Sequence, residues 1–272
     1  MVGSLQPSSK PVYPEDPYQL IDVYYGCFDS TEVRRDLAIS IIKHAGLPGT
    51  RPVTLLDLGC GTGCITVAYA AFCEKVFGVD LHPRAIELTR QRKEIHGASN
   101  VEVLRADWAN ACDIFPRESF DVAVCWGNSL GYTASWLKPR IDVGWSGAKI
   151  ESTLAGVYAV LRKGGAFVVQ VDSDCGRLPG RPLVWLRSIT QGEQQHFLRW
   201  TIEYQPDNIR RNLARRTVYG SDNNASEEFE INFVSHILGP RNLARLLYSI
   251  GFRDVRLTPE PMSPYVVVVA RK

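Results

Sequence analysis

Three aspartates set the chemistry available to this chain, and each stands at the end of an apolar run. Asp57 lies within Val53-Thr-Leu-Leu-Asp57-Leu-Gly59-Cys-Gly61-Thr-Gly63, two residues before a G-x-G-x-G turn. Asp80 closes Lys75-Val-Phe-Gly-Val-Asp80, and Asp107 follows Val101-Glu-Val-Leu-Arg-Ala with Trp108 directly after it. A dinucleotide fingerprint spaces its glycines G-x-G-x-x-G and aims a helix N-terminus at a pyrophosphate. Here the spacing differs, and a carboxylate directed into the loop repels a pyrophosphate while suiting a ligand with an ammonium group. Asp80 stands about where a second-strand carboxylate grips a ribose diol; capping of a helix beginning at Pro83 is the structural alternative. Three acidic strand tips, one with an indole beside it, suit a nucleoside that carries a cationic amino acid. Cys60 and Cys64 offer two positions of a C-x3-C-x2-C cluster motif, but position 67 is valine. With no second Cys/His pair spaced for zinc, no metal site is expected.

Strand tips can meet only on a sheet. From 53 to 171 apolar runs alternate with helical spacing, which implies a parallel sheet with helices on both faces. Strands are expected near 53–58, 75–80, 101–105, 121–126 and 166–172, and helices near 63–73, 82–96 and 147–162. Ligands in such sheets bind outside the carboxyl ends of the strands, where the three aspartates lie. Ahead of the sheet, Ser30-Thr-Glu precedes Val33, Leu37 and Ile41 in the manner of a capped helix. Residues 176–232 break the alternation: His196–Tyr204 and Ala214–Tyr219 read as two strands of a separate small sheet, with turn signals at Asp207-Asn208 and at Gly220-Ser-Asp-Asn-Asn. A helix near 239–250, ended by Gly251, and strands near 253–258 and 264–271 resume the core. Val266–Ala270 is apolar throughout, as a strand buried on both faces requires.

Composition bounds the class. A chain of 272 residues with 45% hydrophobic content buries one full core plus an embellishment. A net charge of +2 gives no argument for a polyanionic partner, so no nucleic acid is expected. The sequence has no apolar run of about 18 residues, and its first ten residues lack a signal-peptide core; no membrane association is expected. The seven cysteines are odd in number, and several fall in expected strands or helices, where Cys packs as a small apolar residue. A cytoplasmic location is the expectation.

The L-D-L-G-C-G-T-G motif resembles that of the class I S-adenosylmethionine-dependent methyltransferases. The resemblance continues through V-F-G-V-D-L-H-P-R-A-I-E at 76–87, A-D-W at 106–108, F-D-V-A-V-C-W-G-N-S-L-G-Y at 120–132 and L-R-K-G-G-A-F-V-V at 161–169. More narrowly, A-D-W and W-G-N-S-L-G-Y are similar to the glycine/sarcosine N-methyltransferase-like group of small-molecule enzymes. The resemblance implies an α/β, Rossmann-like, seven-stranded and mostly parallel sheet of order 3-2-1-4-5-7-6, with helices on both faces and a small mainly-β lid insertion. It implies S-adenosyl-L-methionine as cofactor, S-adenosyl-L-homocysteine as product, and a small-molecule acceptor of an enzyme that is a monomer or homodimer. The division that follows is 1–45 as an N-terminal segment and helix covering the cofactor, 46–175 as the cofactor-binding core, 176–232 as the acceptor lid, and 233–272 as the last helix and closing strands.

Residue by residue, the resemblance gives the cofactor Tyr18, Asp57, Gly59, Gly61, Asp80 for the ribose, Leu81 against the base, Asp107 and Trp108 for the adenine, and Trp126. The bland alternatives are core packing for Trp108 and the tyrosines, and an ordinary tight turn for the glycines. Asn128 and Tyr132 lie at the tip of strand four, where the transferable methyl projects. Asp172 occupies the position where the glycine-specific group holds a substrate carboxylate with arginine; an aspartate there argues against glycine and suits an amine or hydroxyl, unless it is a solvated loop residue. Tyr25 and His236 complete the candidate catalytic set, His236 as a general base or as a structural histidine. The function expected is methyl transfer to a nitrogen or oxygen of a small molecule in specialised metabolism. The alternative is a cyclase or pericyclase-like enzyme that binds the cofactor and never transfers its methyl group.

Overall fold

A computed structural model of the chain describes residues 31–46, 52–133, 148–173, 182–191, 194–203, 213–222, 228–260 and 265–272. In chain order these form α1 (Thr31–Ala45), β1 (Thr54–Leu58), β2 (Lys75–Asp80), α2 (Pro83–Ile95), β3 (Val101–Arg105), the short α3 (Ala111–Ile114), β4 (Phe120–Cys125), α4 (Ala148–Val160) and β5 (Leu161–Asp172). Then come β6 (Leu183–Gln191), β7 (Gln194–Glu203), β8 (Leu213–Asp222), β9 (Glu228–His236), α5 (Pro240–Ile250), β10 (Arg253–Pro259) and β11 (Tyr265–Arg271).

Seven strands form one sheet in the order β10-β11-β5-β4-β1-β2-β3, the expected 3-2-1-4-5-7-6 when its own strands are counted in sequence. Strands β1 to β5 run parallel, and β11 enters antiparallel between β5 and β10. Successive side chains on a strand point to opposite faces, so β1 feeds both cores: Leu56 and Leu58 pack with Phe120, Phe167 and Leu154, while Leu55 packs with Ile41, Val124 and Val168. Phe77, Phe115 and Phe120 meet edge to face, with centroids 5.0 to 5.5 Å apart, a geometry that adds to simple burial. At the end of the sheet away from the strand tips, the buried Asp121 carboxylate accepts from Thr54 N at 2.9 Å and pairs with Arg162 at 2.7 Å. No helix among the described residues is long and apolar enough to cross a membrane.

Two expectations change. The helix expected over 63–73 is a series of turns ending in a 3-10 segment, Ala68–Ala71. Its backbone mixes bonds to the fourth residue back, such as Val67 N to Gly63 O, with bonds to the third, such as Ala68 N to Ile65 O. Ile65, Thr66 and Val67 are consecutive β-branched residues, which resist regular helix, and the Thr66 hydroxyl is engaged elsewhere. The small sheet has four antiparallel strands in the order β6-β7-β8-β9 rather than two. It runs through residue 236, past the expected boundary at 232. Gly220–Asp222, read as a turn, lies within β8 and pairs with β7 and β9.

Candidate active site

The glycine loop is pinned from below and from the side. Gly59 N and Cys60 N both donate to Val79 O, at 2.8 and 3.0 Å. From α2, Thr89 Oγ1 donates to Gly61 O at 2.9 Å, and Arg92 Nη1 to Thr62 O at 2.7 Å. Gly63 has φ +79°, and a Cβ there would lie 2.5 Å from Thr89 Cγ2, so only glycine allows α2 to close on the loop. A Cβ on Gly61 would meet nothing within 4 Å, because Gly61 faces an open cleft. That cleft is lined by Asp57, Gly61, Tyr69, Trp126 and Gly127 among others.

Asp57 sits at its base, 5% exposed, and its Oδ2 accepts from Thr66 Oγ1 at 2.7 Å. Burial pushes its carboxyl up from 3.8 to about 7; the Thr66 bond pulls it back in part, and the Asp80 charge adds to the rise. Among the described residues no cation pairs with it. A buried carboxylate in this condition is favourably placed to accept a cation supplied from outside.

Asp80 is nearly buried at the tip of β2. Its Oδ2 accepts from Gly61 N at 3.0 Å and its Oδ1 from His82 N at 2.9 Å. It therefore joins the glycine loop to the start of α2, and each oxygen keeps a lone pair for a further donor. Burial raises its carboxyl, and the bonds from His82 and Gly61 oppose that rise. Leu81, the next residue, is 56% exposed, an apolar surface beside the ribose position.

The third tip is more committed than its sequence implies. Asp107 Oδ1 accepts from Ala109 N at 3.0 Å, and its Oδ2 pairs with Lys149 at 3.1 Å. Trp108 is buried in the core with Leu56, Leu154 and Val157. Its Nε1 still lies 3.7 Å from the position of a Cβ on Gly59, so the indole also backs the glycine loop.

The tip of β4 carries W-G-N-S. Trp126 is half-buried, and its carbonyl accepts from Ser129 N and Oγ at 3.2 and 2.6 Å. Asn128 adopts a left-handed backbone, φ 58°, and is 1% exposed; neither atom of its amide has a hydrogen-bond partner among the described residues. Tyr132, 8% exposed, ends the 3-10 turn Ser129–Tyr132. Both β5 and β9 pack on that turn, and a Cβ on Gly131 would lie 2.8 Å from His236 O and 3.0 Å from Asn128 Nδ2. His236 therefore closes β9 beside Asn128, and burial pushes its imidazole down to about 4, leaving it neutral near pH 7. Asp172 is 1% exposed at the end of β5; it is not the solvated loop residue that was the alternative. Tyr18 and Tyr25 lie outside the described residues.

Three participants escaped sequence reading. Thr66 and Tyr69 sit on the segment expected as a plain helix. Gln170 interrupts the apolar β5 on the same face as Asp172; its Oε1 accepts from Gly127 N at 3.1 Å, and its Nε2 donates to Glu260 at 2.8 Å. A polar residue within Phe167-Val-Val-Gln170-Val was the available signal.

A family model for a methyltransferase domain matches residues 50–211. The chain belongs to that family, and its sheet order and strand-tip site are those of the class I S-adenosylmethionine-dependent enzymes. Among curated proteins, it is 31% identical over 118 residues to a probable cobalt-precorrin-6B C(15)-methyltransferase (decarboxylating) of Saccharolobus solfataricus, a match covering 42% of this chain and 50% of that protein. The aligned region thus spans about half the length of that relative. Among solved structures, CalS10 of Micromonospora echinaspora, an amino pentose methyltransferase involved in calicheamicin biosynthesis and solved with S-adenosylmethionine bound, superimposes with a TM-score of 0.69 at 17% identity, over 97% of this chain and 99% of that one. DesVI of Streptomyces venezuelae gives 0.71 at 16% identity, over 95% and 99%. At such identities the likeness is one of fold.

S-adenosylmethionine fits the residues present. Its amino-acid ammonium matches the cation-seeking Asp57, its ribose diol the spare lone pairs of Asp80, and the open side of Gly61 leaves room for a ligand against the loop.

Proposed function

We propose that this protein transfers the methyl group of S-adenosylmethionine to a nitrogen, or else an oxygen, of a small-molecule acceptor in specialised metabolism. The observation that carries the reading is Asp57: a buried carboxylate lining a cleft, its carboxyl raised by burial, with no cation paired to it among the described residues. The bound sulfonium supplies an electrophilic methyl carbon, to be met in line by the acceptor's lone pair.

The residues of this chain then have three tasks. Asp57, Gly59, Gly61 and Asp80 hold the cofactor, with Leu81, Trp108 and Trp126 flanking it; Asp107 serves the adenine amine with the lone pairs that Ala109 and Lys149 leave. Asn128 and Tyr132 form the polar wall around the acceptor, and the Asn128 amide, without a partner among the described residues, offers it an acceptor oxygen and N–H donors. Asp172 attracts an amine acceptor, and the neutral His236, its imidazole pushed down to about 4, is too weak a base to deprotonate an ammonium and serves to orient the acceptor, which attacks as the free amine. The four-stranded sheet acts as the acceptor lid, because its last strand reaches the turn after β4. Tyr18 and Tyr25 are assigned to the cofactor and acceptor sides by the family resemblance alone. Nitrogen is favoured over oxygen because a neutral amine needs no strong base, and the amino pentose acceptor of CalS10 agrees with it.

Transfer of labelled methyl to a panel of amino sugars and other small amines tests the reading. Label in a low-mass product, lost in Asp80→Ala and reduced about tenfold or more in Asn128→Ala with cofactor affinity unchanged, is expected. Tight cofactor binding with no transfer to any amine or hydroxyl compound would turn the assignment towards the non-transferring alternative.

A further inference from the structure

Resting on the S-adenosylmethionine reading, we propose that the Tyr69 hydroxyl is a second seat for the cofactor's ammonium group, beside Asp57. Tyr69 is fully buried, lines the cleft, and its hydroxyl makes no hydrogen bond among the described residues. The ring packs in the core with Leu55, Val76 and Val101, where phenylalanine would fill the same space without stranding a polar atom. A hydroxyl buried without a partner destabilises a fold by the desolvation it suffers.

The neighbourhood says which group it serves. Burial, and after it the charge of Asp57, raises the phenol's pKa, so the phenol stays protonated; Tyr69 and Asp57 both line the cleft. Thr66, three residues earlier, donates to Asp57, so one short segment supplies both polar side chains at the base of the cleft. A ligand carboxylate is repelled from this corner by Asp57. An ammonium carries three donors; one satisfies Asp57 and a second reaches the Tyr69 oxygen. Tyr69 lines the cleft, and Thr66 lies behind Asp57 and holds its carboxylate.

Tyr69→Phe tests this by calorimetry at pH 8 with three ligands: S-adenosylhomocysteine, its analogue lacking the α-amino group, and 5′-methylthioadenosine, which lacks the amino acid. The expected result is a three- to tenfold loss of affinity, roughly one hydrogen bond, for S-adenosylhomocysteine alone. The ligand-free variant should also melt higher, by about 2 °C, because the stranded hydroxyl is gone. Unchanged affinity for S-adenosylhomocysteine, an equal loss for all three ligands, or a lower ligand-free melting temperature overturns the assignment. If the wild type binds none of the three, the cofactor reading falls first and this one with it.

Discussion

Cofactor affinity should depend on pH through Asp57, and the size of the effect follows from its environment. Burial holds the carboxyl near 7 in the free protein, while an adjacent ammonium favours the ionised form and returns it towards the ordinary carboxylate range. Below 7 the free site therefore holds a proton that must leave when the cation arrives. The observed dissociation constant rises about elevenfold at pH 6 and by about a third at pH 7.5, an eightfold span or about 1.2 kcal/mol. Calorimetry of S-adenosylhomocysteine in buffers of different ionisation enthalpy should show about one proton released at pH 6 and far less at pH 7.5. Asp57→Asn keeps an oxygen for Thr66 but has nothing to ionise; it should bind weakly and with a flat profile over this range. The sign of the stability effect is opposite to that of a salt-bridged aspartate. Its folded pKa is raised from 3.8 to about 7, so the folded state keeps a proton the unfolded state has lost. Stability contributed by this group declines as pH rises through that window, by about 4 kcal/mol in all. Asp57→Asn should therefore melt higher than the wild type at pH 8, without ligand, and closer to it at pH 5. A wild-type affinity that is level between pH 6 and 7.5, or an Asn variant that keeps the slope, would refute the reasoning.

Two further perturbations separate the binding loop from the frame beneath it. Gly63→Ala forces a Cβ to within 2.5 Å of Thr89 at φ +79°; it should cost 2 kcal/mol or more in urea unfolding and weaken S-adenosylhomocysteine binding at least tenfold. Asp121→Ala removes a buried carboxylate that serves Thr54 N and Arg162; a loss of about 3 kcal/mol in urea unfolding is expected, with the cofactor dissociation constant unchanged while the protein stays folded.

The sequence announced the frame because its signals there are local. Apolar runs ending in aspartate, Gly251 after α5, and the fully apolar Val266–Ala270 each specify one element without reference to anything distant. The strand order followed from the resemblance rather than from any periodicity. What escaped was set by tertiary contacts. Ile65–Tyr69 carries helical spacing, yet a β-branched run and the pull of Asp57 on Thr66 leave turns and one 3-10 segment. The strand β6 was missed because Leu183-Val-Trp-Leu-Arg-Ser-Ile-Thr-Gln mixes apolar and polar residues without clean alternation. Among the site residues, Asp57 and Asp80 were legible as strand-tip carboxylates beside glycines. That Asp107 holds Lys149 was not, since the partner lies 42 residues on, at the start of a helix.

The acidic groups of this fold divide by the company they keep. Asp121, at the far end of the sheet, has a guanidinium at 2.7 Å and a backbone donor. Asp107, at the outermost tip, has an ammonium at 3.1 Å and a cap bond. At the cleft the pattern changes: Asp80 has backbone N–H donors for its two oxygens, and Asp57 has one hydroxyl. Tyr69 and Asn128, also by the cleft or the turn beside it, keep polar atoms without a hydrogen-bond partner among the described residues. Buried polar groups are normally satisfied, because each omission costs about 1–3 kcal/mol. A folding optimum would place cations and acceptors here; among the described residues they are missing around Asp57, Tyr69 and Asn128, which is what a ligand site at this end of the sheet would require. That ligand must be cationic where Asp57 lies and rich in donors where Asp80 lies. A nucleoside bearing an amino acid and a sulfonium meets both demands; a dinucleotide, with its pyrophosphate over the glycine loop, meets neither.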